Sequence, residues 1–247
     1  MSSGLFSCPF IREMRVNRMA NGKKETNKER KGGYDVVVSH SMTGKMAGID
    51  SISTSCILNP FCEARKKDPD SVCSHCYATR LLAFREGVNR CYERNLCTLR
   101  NLLPKCKAAK AVFTTRLGRF EAFGDLSSVN HARNYLRIAR ANPETRFAIW
   151  TKNWNLLASA IREEGGKCPR NLSIVLSSNK LNGSFTEEQL ERIQARMHVD
   201  HVFEVYTPEY LKEHPEVKIE CGGRKCLECG RCYRKTKSID FVREQLK

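Results

Sequence analysis

From residue 111 onward the chain alternates between strand-period and helix-period segments, and that alternation restricts the fold more than any other feature. Residues 111–115 read as a strand, followed by a loop through Arg119, Glu121, Gly124 and Asp125. Ser127 or Ser128 then caps a helix that runs to about Ala141. Residues 146–150 form a second predicted strand, and 154–164 a helix. Residues 171–176 form a third strand, after which Thr186 caps a helix carrying Leu190, Ile193 and Met197. Residues 201–206 form a fourth strand, and 217–219 are a further candidate. Strands separated by helices need crossover connections, and therefore a mainly parallel sheet. The short β-rich run at 34–38 brings the count to five or six strands. No Gly-x-Gly-x-x-Gly follows any of them, so a dinucleotide-binding fold lacks its fingerprint. The expected class is α/β: a partial or complete β/α barrel with cysteine-rich metal-binding loops. In that architecture ligands sit beyond the carboxyl ends of the strands.

Upstream of the alternation, Leu81, Phe84, Val88, Tyr92, Leu96, Leu99 and Leu103 recur at helical steps, and Pro104 stops the pattern. Residues 39–76 look irregular, with Gly44, Gly48, Pro60 and Pro69 and many serines. A loop of that length points to function or to a ligand that organises its backbone. Three regions are expected: a basic N-terminal arm at 1–33, a barrel-like domain at 34–220 with its cysteine-rich loop at 39–76, and a basic, cysteine-rich segment at 221–247.

The arm concentrates Arg12, Arg15, Arg18, Lys23, Lys24, Lys28, Arg30 and Lys31. Over all 247 residues, 43 Lys and Arg stand against 27 Asp and Glu, a formal charge of +16. Such an excess favours polyanions, nucleic acid first and a nucleotide behind it, although charge also serves solubility. No stretch approaches the length of a membrane span, and no secretory leader is visible, so the expected setting is cytoplasmic with no membrane partner.

Thirteen cysteines without a leader point to a reducing compartment and to metal. The first group is Cys56, Cys62, Cys73 and Cys76, and the second is Cys221, Cys226, Cys229 and Cys232. A two-residue gap lets two sulfurs approach one centre, and two successive gaps of two match iron–sulfur ligand spacing. Four thiolates suit structural zinc equally well. An iron–sulfur cluster, most simply 4Fe-4S, is therefore expected, with zinc as the alternative, at one shared centre or two. Cys91, Cys97 and Cys106 read as packing or surface residues, and Cys8 and Cys168 each precede a proline in a loop.

Each predicted strand also delivers polar groups at its carboxyl end. Glu121 or Asp125 can meet an amine or ribose, Lys152 a carboxylate or phosphate, and Ser178 and Asn179 can orient a ligand. Polar loop starts are common everywhere, so it is the joint pattern that marks these five as cofactor-binding candidates. No catalytic residue stands out.

The segment ending Cys73-Ser-His-Cys76-Tyr77-Ala78, the Phe123-Gly124-Asp125-Leu126 loop, the Trp150-Thr151-Lys152 strand end and Cys226-x-x-Cys229-x-x-Cys232-Tyr233 together resemble the phage-associated gene product 88 family. The resemblance covers roughly residues 40–235 and implies a phage or phage-bearing bacterial origin, but no reaction. A more distant likeness is to radical S-adenosylmethionine enzymes, with Cys73 and Cys76 matching the last two cluster cysteines and Gly124-Asp125 standing near a Gly-Gly-Glu loop. Their Cys-x-x-x-Cys-x-x-Cys is absent, because Cys62 lies eleven residues before Cys73. The expected function is an iron–sulfur protein of phage type that binds or acts on nucleic acid or a nucleotide. A radical S-adenosylmethionine-like enzyme, with that cofactor, and a zinc-stabilised binding protein are the alternatives.

Overall fold

Among the described residues, seven strands pair in the order in which they occur along the chain, from β1 to β7. They are β1 (Ser39–His40), β2 (Asp50–Ile52), β3 (Leu117–Phe120), β4 (Arg146–Thr151), β5 (Leu172–Leu181), β6 (His201–Tyr206) and β7 (Asp240–Gln245). The computed structural model describes residues 35–246. β1 runs antiparallel to β2, and every later pairing is parallel. β1 and β7 are the two edges, so the expected barrel is corrected to an open, mixed sheet with flanking helices. The antiparallel β1 ends the parallel run, and no pairing joins it to β7 to close a cylinder.

The connections carry α1 (Pro60–Lys66), α2 (Tyr77–Phe84), α3 (Glu86–Leu99), α4 (Lys105–Ala108), α5 (Val129–Ala141), α6 (Trp154–Glu163), α7 (Glu187–Gln194), α8 (Pro208–Glu213) and α9 (Cys226–Cys229). Local chemistry sets several of their starts. Ser128 accepts from the His131 N–H to begin α5, and Thr186 forms a reciprocal capping box with Gln189 at α7. Thr207 accepts from the Tyr210 N–H and Pro208 opens α8.

Strand residues alternate between two faces. Ile52, Phe120, Phe147, Ile149, Ile174, Leu176 and Val202 point to the main core, where Tyr135, Leu136 and Ile138 of α5 and Leu157 and Ile161 of α6 meet them. Phe120 stacks between Tyr135 at 4.3 Å and Phe147 at 4.7 Å between ring centroids. The other face carries Leu117, Ala148 and Val175, over which Tyr233, Leu227, Cys226 and Cys232 of the C-terminal segment close a second, smaller core.

Several predicted elements land where expected, including β4, β5, β6 and the helices α5, α6 and α7. The long helix is broken: Arg85, at φ −114° and ψ 68°, separates α2 from α3. The expected strand at 111–115 is non-regular backbone, and the strand of that unit is β3, which begins at Leu117. Residues 35–38 and 217–219 carry no strand, whereas β1, β2 and β7 come from stretches where the sequence pattern predicts none. Tyr34, Cys8 and the basic arm lie outside the described residues.

Buried asparagines hold the irregular connections. Asn134 of α5 is fully buried. Its Nδ2 donates to Leu99 O at 2.9 Å and to Asn101 O at 2.8 Å, and its Oδ1 accepts from Leu103 N at 2.9 Å. All its polar atoms are thereby used, as burial requires. Asn134→Asp would turn both donors into a carboxylate oxygen facing two carbonyls. We expect it to destabilise the fold by about 3 kcal/mol, and Asn134→Ala by about 2 kcal/mol, read as lowered midpoints in urea unfolding.

Candidate functional site

A cavity of about 570 Å³ opens over the strand face opposite the main core, and reaches the carboxyl ends of β3 and β4. Parallel strands leave their loops there, as expected for an α/β sheet. The first cysteine group lines one part of it, on the 56–76 connection. The second lines another, on the C-terminal segment.

The C-terminal segment is fastened across the sheet by the loop before β2. Lys45 Nζ donates to Cys221 Sγ at 3.0 Å and to Glu244 of β7 at 2.7 Å, while Lys45 O accepts from Cys226 N at 2.8 Å. Although burial opposes its charge, the bonds to Cys221 and Glu244 raise the Lys45 pKa, so it stays an ammonium. Arg231 grips Asp240 with two bonds, at 2.8 and 2.6 Å.

The β3 exit holds a buried carboxylate. Glu121 is 3% exposed and adopts the left-handed backbone at φ 56°, unusual for a residue with a side chain. It accepts from the Thr54 hydroxyl at 2.9 Å and from Tyr135 OH at 2.7 Å, and lies 3.1 Å from His131 Nε2. Gly124 must be glycine: its φ is +88°, and a Cβ there would strike Thr54 and Glu121. Asp125 accepts from the Thr151 hydroxyl and from the Leu126 and Lys152 N–H groups. Burial raises its pKa, against the opposing charge of Lys152 and the bond from Thr151.

The five rim candidates therefore divide. Glu121, Asp125 and Lys152 line the cavity. Ser178 and Asn179 do not: Ser178 Oγ lies 3.0 Å from Gly183 O, and Asn179 Oδ1 accepts from Ser71 Oγ at 2.8 Å. Lys152 forms no ion pair within 4 Å among the described residues. Arg119 was expected in a loop, but it sits inside β3 with its guanidinium 3.8 Å over the Trp150 ring. The sequence clue was an arginine two residues beyond Leu117, in phase with an inward strand position.

The metal expectations need correcting. Among the described residues, no group of three or more His, Cys, Asp or Glu side chains converges closely enough to hold a metal ion. Cys56, Cys62, Cys73 and Cys76 line the cavity without forming such a group, and so do Cys221, Cys226, Cys229 and Cys232. The physical reason is that many of these sulfurs serve packing and hydrogen bonding. Cys56 and Cys62 pack against Ala78, Leu82 and Tyr92, and Cys226 and Cys232 pack in the second core. Burial raises the pKa of Cys62 and Cys226, and that of Cys232 to about 12, disfavouring the thiolate a metal needs. The iron–sulfur cluster, including its 4Fe-4S form, the zinc alternative and the radical S-adenosylmethionine likeness with its cofactor are thus not supported. The donor set does not fit them, and no step is routed through them.

One cysteine differs from the rest. Cys76 is the N-cap of α2. A hydrogen bond from Cys56 lowers its pKa first of all, helped by the Thr79 hydroxyl and by the Thr79 and Ala78 N–H groups, and the result is about 5 despite burial. The Cys56 thiol is pushed up by the same bond and by burial.

The profile of the family described as Gene product 88 matches residues 14–235. No curated protein and no solved structure matches the chain.

At pH 6, above the Cys76 pKa and below those of the raised thiols, Cys76 should be alkylated first by iodoacetamide. Its rate should be half-maximal near pH 5 and flat above pH 6. Removing the Cys56 hydrogen bond by Cys56→Ala should move that midpoint upward. Peptide mapping by mass spectrometry across a pH series checks both.

Proposed function

We propose that this chain, which belongs to the gene product 88 family of phage proteins, binds a nucleotide in the cavity over the strand face. One observation carries the reading: two cations, Arg119 and Lys152, face the cavity with no carboxylate partner within 4 Å among the described residues. The acids around them are engaged. Glu244 pairs with Lys45, Glu220 with Arg231, and Glu121 and Asp125 are held by hydroxyl and N–H donors. A cavity with surplus positive charge and apolar walls favours an anionic ligand with an aromatic part. Tyr77 and Phe123, in edge contact at 5.6 Å, supply aromatic surface at its mouth, and Tyr77 is 54% exposed. Together they offer a place for a base, with Lys152 within the same cavity for phosphate.

The +16 charge favours a second reading, in which nucleic acid rather than a free nucleotide is the partner. The bound nucleotide is then one unit of a strand, and affinity falls steeply with salt. We take the setting to be the cytoplasm of a phage-bearing bacterium, in keeping with the family. No described helix is long and apolar enough to cross a membrane.

Nucleoside monophosphates titrated against the whole protein, followed by calorimetry, test the nucleotide reading. We expect saturable binding that Lys152→Ala weakens about tenfold, as for loss of one charge-assisted hydrogen bond. If every base gives no binding up to millimolar concentration, the reading is wrong. A labelled single strand compared at about 50 and 200 mM salt decides between free nucleotide and nucleic acid.

A further inference from the structure

Two residues that line the cavity carry buried hydrogen-bond donors that are left unused. Arg119 Nε is buried and has no hydrogen-bond partner, and so is the hydroxyl of Tyr233. Tyr233 as a whole is 4% exposed, yet it lines the cavity. Buried polar atoms are nearly always paired, because each unpaired donor forfeits the bonds it made to water. Two orphans in one cavity are therefore a signature of a group that both are built to meet.

The surroundings define that group. Both side chains border Trp150: the Arg119 guanidinium lies 3.8 Å over its ring, and the Tyr233 ring meets it edge-on at 6.0 Å. The only side-chain hydrogen bond Arg119 makes among the described residues is a weak one, Nη1 to Met46 Sδ at 3.5 Å. The neighbouring sulfurs do not neutralise it, since burial raises the pKa of Cys226 and Cys232 even with Arg119 opposing. Burial likewise raises the pKa of Tyr233, so its hydroxyl remains a donor. Trp150, Phe203 and Val205, strand residues that line the cavity, make its floor apolar. A fixed cation, a neutral hydroxyl donor and a low-polarity floor call for an acceptor that carries negative charge.

We propose that Arg119 and Tyr233 form an oxyanion subsite on the strand face, which takes one carboxylate or phosphate group of a small-molecule ligand. The subsite rests on the reading of this cavity as a ligand site, and it adds the group that anchors the ligand. Trp150 holds the guanidinium in place, so little side-chain freedom is lost on binding. The aromatic pair Tyr77 and Phe123 lines the same cavity, where the rest of the ligand can meet it.

The Arg119 Nε–H resonance in 15N-correlated NMR spectra of the whole protein reports on the subsite directly. Inorganic phosphate and acetate, titrated separately, are the probes. We expect at least one to shift that resonance saturably and to slow its exchange with water. Tyr233→Phe, read at the Arg119 resonance, and Arg119→Met, read at neighbouring backbone N–H resonances that the probe shifts in the wild type, should each weaken that probe about tenfold or more, with the remaining spectrum showing that the fold is kept. Phosphate binding alone identifies a phosphate anchor, and acetate binding alone a carboxylate anchor; either supports the subsite. If neither probe moves the resonance up to about 50 mM, well beyond the about 1 mM Kd that one such site would give, the subsite is refuted. Nucleotides that bind equally well to wild type and Arg119→Met also refute it, while leaving the nucleotide reading intact. Phosphate or acetate binding at Arg119 without nucleotide binding has the opposite effect: the subsite stands and the nucleotide reading falls.

Discussion

In-order pairing of parallel strands is the constraint on which the rest of the structure depends. Each parallel pair needs a crossover, and crossovers have one preferred hand. When every strand pairs with its successor, successive crossovers return over the same face. Helices α3 to α7 accordingly gather on the face bearing Phe120, Phe147 and Ile149, which becomes the main core. The last connection, from β6 to β7, differs: its stretch from Cys226 to Tyr233, with α9, packs on the other face.

That division of labour explains why the cavity exists. A helix layer fills its face with side chains that pack to crystal-like density. A short segment held by Lys45 and Arg231 spans the other face without filling it. The space left between the segment, the strand face and the 56–76 connection is the cavity. Its two unpaired donors and two uncompensated cations lie where packing does not supply partners. Its acids Glu121 and Asp125 are instead satisfied by neighbouring threonines, a tyrosine and backbone N–H groups.

The cysteines show how spacing along a chain differs from convergence in space. A Cys-x-x-Cys gap permits shared ligation but does not impose it. Cys73 lies in a 3₁₀ turn and Cys76 caps the following helix, so the Cys76 sulfur is turned toward the Thr79 and Ala78 N–H groups and toward Cys56. Cys226 and Cys232 face an apolar core, and Cys221 is held by Lys45. The same residues that suggested two metal centres supply packing, one helix cap and one hydrogen-bond acceptor.

The sequence by itself determined the α/β class, the parallel pairing and several elements. Periodicity and caps are local signals, and β4, β5, β6 and α5 to α7 carry them in their own residues. It also marked Glu121, Asp125 and Lys152, because residues leaving parallel strands share one end of the sheet. Only the tertiary structure decided that the sheet stays open. Closure depends on whether two distant edges meet, and no local pattern encodes that. β2 and β7 were hidden for a related reason: β2 has only three residues and draws its stability from its neighbours, and β7 reads as polar and charged because only Val242 in it is buried. Tertiary structure alone brought Arg119 beside Trp150 and Tyr233, residues up to 114 positions apart from β3, β4 and the C-terminal segment. Whether a donor is orphaned depends on everything folded around it, and so the site emerges only once the chain has closed over its own sheet.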